Sequence, residues 1–357
     1  VARIALLLPN LETGGAERVT LTLAAELLRL GDAVDLVLLR REGGLLDQVP
    51  AGVRLIVLDA RRLRHAVRPL AEYCARERPD ALLAAMWPLS SIAVWAARRT
   101  ATRVVVIEHI NLSAFAKSWG MLPRAMLGPI LRWSHKRAAA RIAVSRGSAD
   151  DLARWCGLPA DEVLAIGNPV PLPALGNPVH APDWGGTGRR ILTVGTLKAQ
   201  KNHQLLLEAF ARIARPEDRL AIVGEGGERA VIEEHAAMLG ISGQLLLPGN
   251  APDPALWYLS ADLFVLSSDY EGLPTVVIEA LGHGMTVVST DCPSGPAEIL
   301  EGLGRLVPVG DAAALAEGIE AALATPDDPA AARRRAADFA PPRIAARYRE
   351  ILLGAAA

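Results

Sequence analysis

A chain of 357 residues, 51% hydrophobic and 22% charged, is too long for one comfortable core and too apolar to be disordered or fibrous, so two folded α/β domains are expected. Its three cysteines, Cys74, Cys156 and Cys292, show no CxxC spacing, which argues against a disulfide framework or zinc knuckle and for a reducing, cytoplasmic setting. The net charge of −1 is the sum of +6 over residues 1–184 (23 Lys and Arg against 17 Asp and Glu) and −7 over residues 185–357 (15 against 22).

No basic leader precedes the first strand, and no apolar run reaches ~18 residues, so neither export nor a membrane span is expected. Short apolar runs at Ile4–Leu8, Val34–Leu39, Val53–Val57, Ala81–Ala85, Val104–Ile107 and Arg141–Val144 alternate with amphipathic stretches of helix length. That is the pattern of parallel strands with crossover helices. From Gly167 to Gly188 the text becomes GNPVPLPALGNPVHAPDWGGTG, whose Gly and Pro punctuate the chain as a linker does. The expected division is a first domain over 1–170, a linker over 171–188, a second domain over 189–340 and a terminal helix over 341–357.

Alternation restarts with strands at Ile191–Val194, Leu220–Val223, Gln244–Leu247, Leu263–Leu266 and Thr286–Ser289 and helices from Asn202, Glu228, Pro274 and Asp311. The second domain repeats the doubly wound plan of the first. In the tail, Pro341 and Pro342 fit a helix start, and Ile344, Tyr348 and Ile351–Leu352 form one apolar stripe that needs a surface to pack on.

Several chemically expressive segments sit just after strands, where open α/β sheets face their ligands. Glu271 and Glu279, separated by seven residues, flank a strand-to-helix turn whose free N–H groups suit an anion. Eight positions of helix rise about 12 Å, so the two carboxylates suit different parts of one extended ligand; the alternative is a pair of solvated helix glutamates. The run Val194–His203 places Lys198 and Lys201 beside a glycine turn, a diphosphate cradle or else two surface lysines. Leu8–Glu17 carries Gly14 and Gly15, in an order that is not GxGxxG and so weighs against a dinucleotide-dependent dehydrogenase. Glu108 and His109 end another strand, where a lone His is either a ligand contact or a hydrogen-bonded structural residue.

The stretch Ser268–Asp291, SDYEGLPTVVIEALGHGMTVVSTD, resembles the signature of the family 4 glycosyltransferases of GT-B fold, whose E-x7-E element it contains. The resemblance runs in order from the first strand to about Leu300. It implies two Rossmann-like domains facing a central cleft, with a C-terminal helix crossing back to the first. By it, Glu279 would bind the donor ribose and Glu271 a hydroxyl of the transferred sugar. The amides of Gly272, Leu273, Pro274 and Thr275 would approach sugar and phosphates, Lys201 would neutralise the diphosphate, and Pro248 and Gly249 would line the base pocket. His109 would contact the donor sugar or phosphate, and Gly14 and Gly15 would face phosphate and acceptor. Thr196 stands where the family has an Arg, leaving Lys198 to compensate.

The implied activity is retaining transfer from a nucleotide-sugar, a UDP-sugar of glucose, N-acetylglucosamine or N-acetylgalactosamine first and GDP-mannose second, to a glycan, lipid-linked or small-molecule acceptor. The run Asp291–Glu298 is similar to that of bacterial members that build polysaccharides and lipid-linked oligosaccharides. No cofactor and no nucleic acid are implied. The absence of Asp-x-Asp and of any cluster with metal-ligand spacing points to stabilisation of the leaving group by cations and helix N-termini, without a metal. An epimerase or phosphorylase on the same fold, or a non-catalytic binding module, are the rival readings.

Between Arg98 and Arg146 the chain has ten basic residues and one acid, Glu108. Within residues 113–141, Trp119, Met121, Leu127, Ile130 and Trp133 interleave with Lys117, Arg124, Arg132, Lys136 and Arg137. That face suits an anionic membrane surface, which would make the protein peripheral on the cytoplasmic membrane, or it is an ordinary helix with one core side and one solvated side.

Overall fold

The apolar runs become two sheets because strands buried on both faces have no polar side to offer water. The structure, a computed structural model, describes residues 1–118, 121–173, 182–251 and 254–354, with side chains left out for 118 and 121–125. Part of the linker expected over 171–188, Trp119, and the side chains of Met121 and Arg124 therefore lie outside the described residues. The chain divides into two units, Val1–Val170 with Phe339–Ala357, and Pro171–Asp338.

In the first unit, strands β1 (Arg3–Leu8), β2 (Ala33–Leu38), β3 (Arg54–Val57), β4 (Ala81–Ala85), β5 (Arg103–Glu108), β6 (Ala140–Ala143) and β7 (Leu164–Ala165) form one sheet in the order β3-β2-β1-β4-β5-β6-β7. All pairs are parallel, with Ile4 opposite Val34 on one side and Ala81 on the other. β4 buries all of its residues and β1, β2 and β5 all but the first; Ile4 and Ala5, on opposite faces of β1, are both at 0% exposure.

The tail belongs to this unit. Helix Pro341–Leu353 buries Ile344, Ala345, Tyr348 and Leu352 and touches helix Gly15–Arg29, β4 and β5. Arg349 clamps Asp32 through Nε at 2.6 Å and its terminal nitrogen at 3.1 Å. The Arg103 guanidinium donates to the Ile351 carbonyl at 3.2 Å.

In the second unit, β8 (Arg190–Val194), β9 (Arg219–Val223), β10 (Leu245–Gly249), β11 (Leu263–Leu266), β12 (Val287–Thr290) and β13 (Arg305–Val307) follow the order β10-β9-β8-β11-β12-β13, again parallel throughout. This is the same doubly wound plan started afresh. Its core packs Leu206, Phe210, Leu315 and Ile319 against Ile191 and Val265. Helix starts follow capping chemistry: Asn202 Oδ1 accepts from the Leu205 N–H at 3.2 Å, and Asp311 Oδ1 accepts from Ala313 and Ala314 at 3.0 and 2.9 Å, satisfying donors that the helix leaves open.

Candidate functional site

In a doubly wound sheet the ligand crevice opens at the carboxyl ends of the strands where the order reverses. In the second unit that point lies between β8 and β11, and the loops after these strands carry Lys201 and Glu271. The two meet: Lys201 Nζ donates to Glu271 Oε1 at 2.6 Å, and Ser268 Oγ donates to the same oxygen at 2.6 Å. Glu271 is buried, whereas the Lys201 side chain keeps 18% of its surface exposed. A charge this deeply placed needs such partners, because its hydration has been removed.

The loops are stitched to each other. The Gln200 amide donates to the Tyr270 carbonyl at 2.7 Å, the Asn202 amide to Asp269 at 2.8 Å, and Ser267 Oγ to the Lys201 carbonyl at 2.9 Å. Asn202 sits at φ 45°, a left-handed position that asparagine tolerates. From the loop after β12, Ser294 Oγ donates to the Glu271 carbonyl at 3.0 Å. A Cβ at Gly295 would lie 2.7 Å from Pro274 Cδ and 2.8 Å from the Gly272 carbonyl, so that loop packs as tightly as a side-chain-free residue allows.

Gly272, Leu273 and Pro274 are buried and lead into helix Thr275–Gly282, whose first-turn N–H groups begin at half-buried Thr275. Glu279 lies one turn in. It pairs with Tyr258, whose hydroxyl donates to Glu279 Oε2 at 2.9 Å. Thr196 and exposed Lys198 lie on the turn after β8, closed by the Lys198 N–H donating to the Thr196 carbonyl at 2.9 Å. Pro248 is exposed and Gly249 buried at φ 79° at the end of β10, where a Cβ would meet Glu225 Oε1 at 2.8 Å.

The structure thus brings Lys201 and Glu271 into contact, places Glu279 with Tyr258, and leaves Lys198 outside both pairs. Two glycines were not singled out from the sequence. A Cβ on Gly224, at φ 150°, would run into the Gly195 carbonyl, and one on Gly226 into the Leu197 carbonyl. Their signal was present: GEGG directly after strand β9.

In the first unit the order reverses between β1 and β4. Gly14 caps helix Gly15–Arg29 at φ −85° with no side-chain hydrogen bond, and Gly15 has open space where a Cβ would be. Backbone strain does not require either glycine, but a Cβ at Gly14 would run into the Glu17 carboxylate, which folds back against this helix start. Glu108, at the end of β5, is buried and turns inward, accepting from the Trp87 N–H at 2.9 Å and from Ser90 Oγ at 2.9 Å, with His135 Nε2 at 3.6 Å. It fastens the turn after β4.

The next residue, His109, borders a small apolar hollow with Thr20, Leu23, Ile107 and Tyr348. Loss of hydration pushes its imidazole down to about 4, against the opposing pull of Glu108, so it is neutral at pH 7.

Two family models match the chain in succession: "Glycosyltransferase Family 4" over residues 13–172 and "Glycosyl transferases group 1" over residues 181–339. Among curated relatives, the amylovoran biosynthesis glycosyltransferase of Erwinia amylovora is 25% identical over 66% of this chain and 65% of its own length. The N-acetylgalactosamine-N,N'-diacetylbacillosaminyl-diphospho-undecaprenol 4-alpha-N-acetylgalactosaminyltransferase of Campylobacter jejuni is 29% identical over 50% of this chain and 49% of its own. The chain therefore spans less than two thirds of the length of either.

Among solved structures, Anabaena HepE in complex with UDP-glucose superposes with a TM-score of 0.79 at 20% identity, covering 99% of this chain and 100% of that one. A Rickettsia africae glycosyltransferase gives 0.77 at 17%, over 98% and 97%. With two Rossmann-like units in the GT-B pattern and both halves matched in order, the chain belongs to glycosyltransferase family 4.

Proposed function

We propose that the protein is a retaining glycosyltransferase that moves a sugar from a UDP-sugar to a hydroxyl of a glycan, lipid-linked or small-molecule acceptor, without a metal ion. The observation that carries this reading is the Lys201–Glu271 pair at the switch point of the second sheet. A diphosphate arriving there competes for the Lys201 ammonium, and the released Glu271 carboxylate accepts from a sugar hydroxyl. The helix start at Thr275 favours the developing negative charge on the leaving group. Glu279 accepts from the ribose, and neutral His109 contributes a hydrogen bond to the donor sugar or phosphate. UDP as the nucleotude part draws support from the fold likeness to HepE, which was solved with UDP-glucose.

The test is calorimetric titration with UDP, GDP and ADP in EDTA, together with transfer assays on variants. One nucleotide should bind in EDTA, and Glu279→Ala should weaken it. Glu271→Ala should cut transfer about a hundredfold or more while the fold persists, and product analysis should show the anomeric configuration kept. Full activity of Glu271→Ala, or a sugar-nucleotide converted with no acceptor present, would overturn the assignment, the latter in favour of an epimerase.

The acceptor side carries its own observation. Glu108, the one acid between Arg98 and Arg146, is buried, so that stretch offers the surface its basic groups alone. Trp95 is 45% exposed with the Arg98 guanidinium 4.2 Å above its ring, and it meets Trp133 at 5.1 Å, which in turn carries Arg137 at 4.9 Å. Exposed Met126 and Ile130 lie on the same helix as Trp133, Met121–His135, whose Leu127 and Leu131 face the core. We assign this patch to an anionic membrane surface, where a lipid-linked acceptor resides. The protein should sediment with vesicles containing phosphatidylglycerol and remain free of phosphatidylcholine vesicles. Trp95→Ala with Arg98→Glu should abolish the difference.

A further inference from the structure

We propose that Tyr258 is the positioning residue of the ribose subsite: its hydroxyl holds the Glu279 carboxylate in the orientation that accepts from the sugar hydroxyls of the nucleotide. The inference rests on the reading above that Glu279 binds ribose, and it adds a residue from another element. Tyr258 comes from helix Ala255–Ser260, 21 positions before Glu279 in the chain.

The phenol is almost wholly buried, at 2% exposure, and its ring lies between Phe264, centroids 5.8 Å apart and 30° inclined, and His283, 4.9 Å and 13°. Those two ring contacts fix the ring and so aim the hydroxyl. The hydroxyl donates to Glu279 Oε2 at 2.9 Å; the Val276 carbonyl, at 3.5 Å, is a far poorer acceptor. His283 Nδ1 lies 2.8 Å from the Glu279 carbonyl oxygen, so the main chain of the same glutamate is tied to the ring that stacks on Tyr258. Burial and the adjacent carboxylate hold the phenol well above its ordinary range, so it stays protonated and remains a donor.

A phenylalanine would fill this slot equally well if packing were the whole role. What the hydroxyl adds is a directional hydrogen bond that orients the carboxylate of a half-buried side chain. That ordering is done before the nucleotide arrives, so binding does not have to bear its cost.

The experiment compares UDP with 2′,3′-dideoxy-UDP by calorimetry on the full chain, with the guanosine pair used if GDP is the nucleotide that binds. The wild-type protein should prefer the nucleotide with ribose hydroxyls by roughly tenfold or more, the value of hydrogen bonds to a charged group. Tyr258→Phe should shrink that preference to about threefold or less while leaving the dideoxy affinity unchanged, which a general loosening of the fold would not do. In a Glu279→Ala background, Tyr258→Phe should change the ratio no further.

If Tyr258→Phe keeps the wild-type ratio, or if its effect adds in full to that of Glu279→Ala, the positioning role is wrong while the donor site stands. If the wild-type protein does not distinguish the two nucleotides, Glu279 does not read the ribose and both assignments fall together.

Discussion

His203 is the first residue of helix His203–Ile213 and only 4% exposed, and its Nδ1 has no hydrogen-bond partner among the described residues. Burial, with the nearby Lys201 charge adding to it, pushes its imidazole down to about 4. The folded value lies below the unfolded one of ~6.5, so the stabilisation is complete above that value and is lost as pH falls towards 4. Between pH 7 and 5 this one group removes ~2 kcal/mol of stability from the second unit. Denaturant melts at the two pH values should show a smaller difference for His203→Gln than for the wild-type chain.

Gly224→Ala should lower the melting temperature of the same unit by several degrees, since at φ 150° its new Cβ meets the Gly195 carbonyl. A melt within a degree of wild type would mean that the β8 and β9 turns separate easily. At this scale the sequence was partly legible. Glu271 and Lys201 stood out because both follow strands, where chemistry collects, yet nothing in their spacing of 70 residues said they would pair. The pairing of Tyr258 with Glu279 left no trace in the text, because a buried hydroxyl and its acceptor come together through packing alone.

Elements were read more surely than contacts. The residues from which helices were expected to start, Asn202, Glu228, Pro274 and Asp311, are all observed N-caps, and the Asn202 and Asp311 side chains accept capping hydrogen bonds, a signal local enough to read from sequence; the shorter helices Ala255–Ser260, Pro296–Leu300 and Pro329–Ala336 were not expected. Strands β7 and β13 were overlooked. With two and three residues they are too short to show a period, and they finish the sheet edges only because neighbouring strands offer them hydrogen bonds. The terminal helix was legible from its apolar stripe, and the stripe has found its surface. Tyr348→Ala should cost the first unit about 3 kcal/mol through the cavity it leaves. Arg349→Ala, which leaves the Asp32 carboxylate the Ala2 N–H at 3.2 Å, should cost less, about 1 kcal/mol, since the Arg349 side chain is 37% exposed. Neither should abolish UDP binding, since Lys201, Glu271 and Glu279 lie in the second unit and the first supplies only the proposed His109 contact. A parallel loss of affinity would contradict that division.

The whole molecule is two sheets of one plan, and the two units differ in how the chain composes them. The second is one continuous run, Pro171–Asp338, whereas the first is assembled from Val1–Val170 and Phe339–Ala357. Residues 171–338 expressed alone should fold and still bind UDP, since Lys201, Glu271 and Glu279 all lie within them. Residues 1–170 alone should stay partly unfolded, because the apolar face of helix Gly15–Arg29 would be uncovered.

The same arrangement sets an order of events at the ribosome. The half of the protein that is synthesised first cannot finish its core until residues 341–353 have emerged, by which point the whole of the second half has been made. The leading 170 residues must therefore wait, with leucine- and valine-rich strands only partly covered, for as long as translation of the remainder takes. Slowed elongation through the second half would lengthen that interval, and the chain's exposure to chaperones and to aggregation would grow with it.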